Sequence, residues 1–279
     1  MRDGDFELVT LRGGSRAVRH TGHGEVMHPA GGPWLEANRL YVEQPQLAAR
    51  LQQSGSRAIR IFDVGLGAAT NAVAALTCAE QSTVGSIEIH SFEIDLAPLR
   101  LALSDPEGFP FLTPFHDAAL ALMEHGEWSK PNVRWILHRG DFQSCLPQAP
   151  DQVDLIFFDP FSPQHNASLW TPTTFAALRE HCRSNGEGAL LYTYSAATPM
   201  RVSLLLGGFY VGAGVSTGTK QETTVGATVK SSLAAPLGPR WLARWERSSA
   251  RAPIGEAVLT SAHETALRGH PQFAIADLA

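Results

Sequence analysis

The sequence predicts an α/β, Rossmann-like fold: a mostly parallel seven-strand sheet with helices on both faces. Three observations predict it. Apolar strand-like runs alternate with helical segments from residue 59 onward. A glycine turn, Gly65-Leu66-Gly67, closes the first of these runs. The most apolar run, Val153-Asp154-Leu155-Ile156-Phe157-Phe158, ends abruptly at Asp159-Pro160, the kind of strand end that opens onto a ligand crevice in such sheets.

Taken in order, residues 6–19 read as a small hairpin around the turn Arg12-Gly13-Gly14-Ser15-Arg16, and Glu36 to Gln53 as a helix interrupted by Pro45. Ile59 to Val64 is a buried strand, Thr70 to Glu80 an Ala-rich helix, and Ile87 to Glu93 an alternating strand. Asp95 to Leu103 is a helix with Asp95 as its N-cap, and Val133 to His138 is the next strand. After the strand at 153–158, Thr171 to Cys182 is a helix with Pro172 in its first turn. Gly188 to Tyr194 is a strand and Pro199 to Leu206 a helix, and Gly208 to Val215 with Thr223 to Lys230 form a closing antiparallel pair. The chain thus divides into an N-terminal appendage (1–58), a core (59–230) with an insertion at 104–130, and a C-terminal extension (231–279).

Composition narrows the class. With 44% hydrophobic and 18% charged residues, there is enough apolar surface to offset the entropy of ordering the chain. No run is long and apolar enough to span a membrane, the polar start Met1-Arg2-Asp3-Gly4-Asp5 lacks a secretory apolar region, and three scattered cysteines (Cys78, Cys145, Cys182) suit reduced thiols. A cytoplasmic protein without a membrane partner is expected. Residues 59–230 carry ten Lys/Arg against seventeen acids, a poor general grip for nucleic acid, so any RNA contact needs a local basic patch.

The chemistry concentrates at strand ends. In Gly65-Leu66-Gly67-Ala68-Ala69-Thr70-Asn71 the glycines permit a sharp turn and close backbone approach, and the helix beyond offers N–H groups. Such a loop can cradle a dinucleotide pyrophosphate or the carboxylate end of S-adenosylmethionine. Glu93 ends the second strand, where an acid accepts ribose hydroxyls. It lies 28 residues after Gly65, later than the roughly 20 of a dinucleotide fingerprint. Asp141, after the third strand, is either an adenine-amine acceptor or a helix N-cap. Asp159-Pro160-Phe161-Ser162-Pro163 resembles the Asp/Asn-Pro-Pro-aromatic loop of amino-methyltransferases. There a carboxylate and a neighbouring carbonyl hold an amine by its protons, alignment does most of the work, and Phe161 can stack on a flat base. His20, His23 and His28 read as a surface loop rather than a metal site. Trp241 and Trp245, with Arg240, Arg244 and Arg247, read first as a packed tail helix and second as an RNA platform.

The order of these motifs resembles the methyltransferase domain of the MnmC family, which completes 5-methylaminomethyl-uridine at the tRNA wobble position. The corresponding pieces are Asp63-Val64-Gly65-Leu66-Gly67 running to Asn71, Ser91-Phe92-Glu93, Gly140-Asp141, Phe158-Asp159-Pro160-Phe161-Ser162-Pro163 followed by Leu169-Trp170, and Gly218-Thr219-Lys220-Gln221-Glu222. They cover roughly residues 25–230. The resemblance implies the S-adenosylmethionine-dependent methyltransferase variant of the fold, with Glu36, Asp63, Gly65, Gly67, Asn71, Glu93, Asp141 and Asp159 at the cofactor. It implies Asp159 and Phe161 as the catalytic pair, and a segment Gly24-Glu25-Val26-Met27-His28-Pro29 that closes over the cofactor with Glu36. Two departures stand out: Ala69 replaces the third glycine, and Asp159-Pro160 replaces Asp-Gly. Full-length members continue into a flavin-dependent oxidase with no counterpart before residue 279, so no flavin is expected; no metal is expected either.

The functional expectation is S-adenosylmethionine-dependent N-methylation, preferably of the 5-aminomethyl group of a wobble (2-thio)uridine, with tRNA as partner and Asp159 taking a proton or hydrogen bond from the amine. The alternatives are methylation of a small-molecule or protein amine, a nicotinamide-dependent oxidoreductase, disfavoured by the missing third glycine and late Glu93, and a non-catalytic cofactor- or RNA-binding module. Aminopropyl transfer lacks its Gly-Gly-Gly-Asp-Gly loop.

Overall fold

A computed structural model describes residues 4–27, 32–82, 84–217 and 221–274. Its centre is β3 (Ala58–Val64), whose alternating side chains serve two cores: Ile59 and Ile61 point into one cluster, Phe62 and Val64 into the other. Parallel neighbours continue the pattern. β4 (Ser86–Glu93) lies on one side of β3 and β7 (Leu155–Phe158) on the other, followed outward by β6 (Val133–Arg139) and β8 (Leu190–Thr193). All four residues of β7 are buried, as expected of a strand covered on both faces. β10 (Thr223–Ala227) and β9 (Tyr210–Gly214) close one side antiparallel, as the sequence predicts.

Among the described residues, and with β5 at Glu127–Lys130, the sheet has eight strands, in the order β5-β6-β4-β3-β7-β8-β10-β9. The strand beyond the seven expected is β5 (Glu127–Lys130), which pairs antiparallel with β6 from within the 104–130 segment. Its short Glu-Trp-Ser-Lys run has too little alternation to announce a strand.

One face is covered by α3 (Thr70–Gln81), α5 (His116–His125) and the N-terminal elements; the other by α7 (Pro172–Glu180), α8 (Thr198–Leu206) and the C-terminal helices. The hairpin β1 (Phe6–Thr10) and β2 (Arg16–His20) packs against α4 (Ala97–Leu103), and Arg16 pairs with Asp105 at 2.9 Å. The single helix expected over 36–53 is three pieces: α1 (Pro33–Ala37), a π-helical turn Asn38–Glu43, and α2 (Leu47–Gln53). Pro45 cannot donate to the helix, and Gln46 after it takes a left-handed conformation (φ 54°). In the C-terminal segment α9 (Pro239–Glu246) buries Trp241 and Trp245, the packed-tail reading of that motif, and α10 (Ser261–Arg268) lies against α8. Buried Gln272 hydrogen-bonds both backbone groups of Val211 on the edge strand β9, which shields that edge.

The chain leaves β3 toward β4 and β6, then returns across β3 to β7 and β8. The direction of winding therefore reverses between β3 and β7, where open α/β sheets form a crevice at their carboxyl ends. Val64 pairs with Phe158, so the Gly65 turn and the Asp159 loop emerge side by side.

Candidate active site

The two loops touch. Gly65 has φ 89°, and a Cβ there would lie 2.8 Å from both the Asp159 carbonyl oxygen and Pro160 Cα. Only glycine meets both demands. Gly67 (φ 53°) leads to Ala69, which starts α3 in a left-handed conformation (φ 61°); alanine holds this position at some strain where the resembled motif has glycine. Glu93, at the end of β4, accepts hydrogen bonds from the N–H groups of Gly67 (2.9 Å), Ile94 (2.8 Å) and Asp95 (3.0 Å). Burial raises its pKa, and these N–H groups oppose the rise.

Beyond β7, hydrogen bonds fix nearly every residue of the Asp159 loop. Asp159 N–H donates to Val64 O (3.0 Å), and Asn71 Nδ2 donates to Asp159 Oδ2 (2.7 Å). Trp170 Nε1 donates to Phe161 O (3.0 Å), and the Tyr194 hydroxyl reaches Pro160 O at 3.4 Å. Glu25 accepts from Ser162 N (3.0 Å) and Ser162 Oγ (2.9 Å), and lies 3.5 Å from His165 Nε2. Burial, then the Asp159 charge, holds the Tyr41 and Tyr194 hydroxyls protonated.

One cavity of about 660 Å³ joins the loops, a volume suited to a ligand of cofactor size. Of the residues expected at the site, Glu36, Gly65, Gly67, Glu93, Asp141, Asp159 and Phe161 line it. Asp141 serves the helix as well: it caps α6 (Phe142–Cys145) by accepting from Ser144 N through Oδ1 at 3.1 Å. Asp63 and Asn71, also expected at the cofactor, do not line the cavity. Asp63 is fully buried behind the glycine loop, accepting from Ser91 Oγ at 2.7 Å, and Asn71 is buried with its amide on Asp159. Burial first, then the charges of Asp159 and Glu93, raise the Asp63 pKa to about 8.

Other lining residues escaped the sequence. Phe6, His20, His23, His165 and Tyr194 line the cavity with Glu25 and Met27 of the expected closing segment. His28, Pro29 and Gly218-Thr219-Lys220 lie outside the described residues. His20 and His23 stack at 4.1 Å, and His23 and His165 at 4.4 Å. Among the described residues no cluster of three potential ligands is placed to hold a metal, and no helix is long and apolar enough to cross a membrane.

Residues 116–229 match the family of S-adenosyl-L-methionine-dependent methyltransferases. The chain is 29% identical over 262 residues to the tRNA 5-methylaminomethyl-2-thiouridine biosynthesis bifunctional protein MnmC of Methylibium petroleiphilum, covering 88% of this chain and 38% of that protein. It is 30% identical over 236 residues to the protein of the same name from Pseudomonas paraeruginosa, covering 81% and 34%. The chain carries an MnmC-like methyltransferase domain. It spans about a third of the length of these relatives. The fold is shared with MNMC2 from Aquifex aeolicus, at a TM-score of 0.72 and 24% identity, covering 90% of this chain and 79% of that one.

The MnmC-like methyltransferase domain uses S-adenosyl-L-methionine, and the cavity fits it. Glu93 stands where a ribose would be held, and Asp141 keeps a carboxylate oxygen not used in capping. A side chain at Gly67 would press on Met27 Sδ at 3.2 Å, narrowing the cavity that both residues line.

Proposed function

We propose that the domain methylates a primary amine, the 5-aminomethyl group of a tRNA wobble (2-thio)uridine. The observation that carries this reading is the charge of the cavity. Glu25, Glu36, Glu93, Asp95, Asp141 and Asp159 line it, with no Lys or Arg among the described lining residues. Such a cavity attracts an ammonium-bearing acceptor electrostatically. The names of the relatives supply the substrate class.

Bound in the glycine-loop half, S-adenosyl-L-methionine supplies a methyl group on a positively charged sulfur. The chain's residues do the rest. An alkylamine is mostly protonated near neutrality, so its nitrogen must give up a proton before it can attack. Asp159, oriented by Asn71, accepts that proton or a hydrogen bond from the neutral amine. The loop from Asp159 to Ser162, held by Val64 O, Asn71, Trp170, Tyr194 and Glu25, keeps the carboxylate from swinging away, so alignment is established before the acceptor arrives. Phe161 offers a ring to the flat base.

The test is methyl transfer from labelled S-adenosyl-L-methionine to tRNA bearing 5-aminomethyl-uridine, beside tRNA lacking the aminomethyl group and a panel of free amines and amine-bearing peptides. Label on the first tRNA alone is expected. Label on the amines or peptides, with none on either tRNA, would replace the substrate.

A further inference from the structure

The N-terminal hairpin brings His20 to the acceptor side of the cavity, where no expected role places it. Its register sets Phe6 opposite His20 on the paired strands. The His20 ring is nearly perpendicular to Phe6 (4.8 Å, 75°) and to Phe161 (5.8 Å, 88°), while Phe6 and Phe161 are nearly parallel to each other (6.4 Å, 17°). His20 thus stands edge-on to two flat rings, one of them two residues from Asp159.

Its protonation is set by its own turn. The backbone N–H groups of Gly22 (3.1 Å) and His23 (3.3 Å) both donate to His20 Nδ1. Nδ1 is therefore the acceptor nitrogen, and the ring proton resides on Nε2. His20 itself lines the cavity, and no hydrogen bond to Nε2 is found among the described residues. Burial first, then the neighbouring His23, lowers the His20 pKa, so the ring stays neutral. A neutral donor suits this cavity: a Lys or Arg would pair with the surrounding carboxylates and repel a cationic acceptor.

We propose that His20 is a specificity-determining residue of the acceptor subsite, donating Nε2–H to a carbonyl oxygen of the planar ring that carries the reacting amine. This rests on the reading of the acceptor as an aminomethyl pyrimidine. In a 5-aminomethyl pyrimidine the C4 carbonyl adjoins the carbon bearing the aminomethyl group. A donor beside Phe161 therefore meets that oxygen when Asp159 holds the amine. An amine on a ring without a carbonyl leaves the donor unpaired and gains nothing from it.

The experiment titrates the protein, saturated with S-adenosylhomocysteine, with two probes: 5-aminomethyluridine, and benzylamine, which has a ring and an amine but no carbonyl. Wild type, His20→Asn and His20→Phe are compared. Asn keeps an acceptor for the turn N–H groups and removes the distal donor; Phe keeps the ring contacts. Both variants are expected to weaken nucleoside binding about tenfold, the scale of one lost hydrogen bond, with benzylamine binding unchanged. Wild-type affinity in His20→Asn, equal losses for both probes, or a wild-type protein that binds neither probe overturns the proposal. If the wild type shows the expected discrimination but leaves aminomethylated tRNA unmethylated, the tRNA reading fails while the role of His20 stands.

Discussion

The two halves of the cavity are built on different plans. The cofactor half comes from short segments at the ends of adjacent parallel strands: Gly65 and Gly67 after β3, Glu93 at the end of β4, Asp141 after β6. Each is placed by its own strand and the sheet register. The acceptor half is assembled from the hairpin at 6–27 and the loop at 159–166, far apart in sequence and joined by the Glu25 clasp and the histidine stack. On the proposed assignment, the difference teaches that cofactor binding is a property of the sheet, whereas acceptor recognition depends on an added element docking correctly. Variants should separate the two.

The largest separation is expected from Asp159→Ala. Loss of a general base typically costs about 10²–10⁴-fold in rate, and S-adenosyl-L-methionine affinity should be nearly unchanged, because the cofactor half stays intact. Turnover and calorimetry on the same preparation read both quantities. Equal loss of rate and affinity would merge the halves and remove the assigned role. Next comes Glu93→Ala. A hydrogen bond to a charged group contributes about 1.5–3 kcal/mol, so S-adenosyl-L-methionine affinity should fall about tenfold to a hundredfold. Unchanged affinity would take the ribose away from Glu93.

A smaller effect is expected from Glu25→Ala, which cuts the clasp from the hairpin to Ser162. Its carboxylate is partly exposed, so the loss should be about threefold to tenfold in kcat/KM for the acceptor, toward the lower end of what such bonds contribute, with cofactor affinity intact. Glu25→Gln retains one acceptor oxygen and should recover part of the loss. A fall in cofactor affinity instead would place Glu25 over the cofactor, the role that the motif resemblance implies.

The same division explains what was legible in the sequence. Strand–helix alternation and the strand-end motifs are local, so the parallel sheet and the positions of Gly65, Glu93 and Asp159 could be read from single segments. His20 could not. Its spacing from His23 suggests only a loop, and its donor atom is defined by a turn folding back onto Nδ1. Asp63 was visible but misplaced: adjacency to the glycine turn does not reveal that its side chain points into the sheet rather than the cavity. Pro45 announced a break in the helix at 36–53, but not that a π-helical turn would precede it. β5 was hidden because four residues carry too little pattern.

Asp63 gives the smallest effect at low pH and the sharpest test of whether the halves are electrically joined. Its raised pKa comes from burial first, then from Asp159 in one half and Glu93 in the other. The folded protein keeps a proton on Asp63 up to about pH 8, whereas the unfolded chain releases it near 3.8, the ordinary value for an aspartate. Between those values the folded state binds more protons, so this group makes stability fall as pH rises. Asp63→Asn removes that slope and still accepts from Ser91. The variant's Tm should match wild type near pH 4, exceed it progressively toward pH 8, and keep a constant lead above, on the order of ten degrees, because raising the pKa from 3.8 to about 8 corresponds to ~5 kcal/mol and each ~1 kcal/mol moves Tm by roughly 2–4 °C. Repeating the scan in an Asp159→Asn background should narrow the lead, because one of the two charges that hold the proton in place is then gone. A lead that does not change with pH would mean that Asp63 is ionised in the folded protein, and that the two halves are joined through the loops alone.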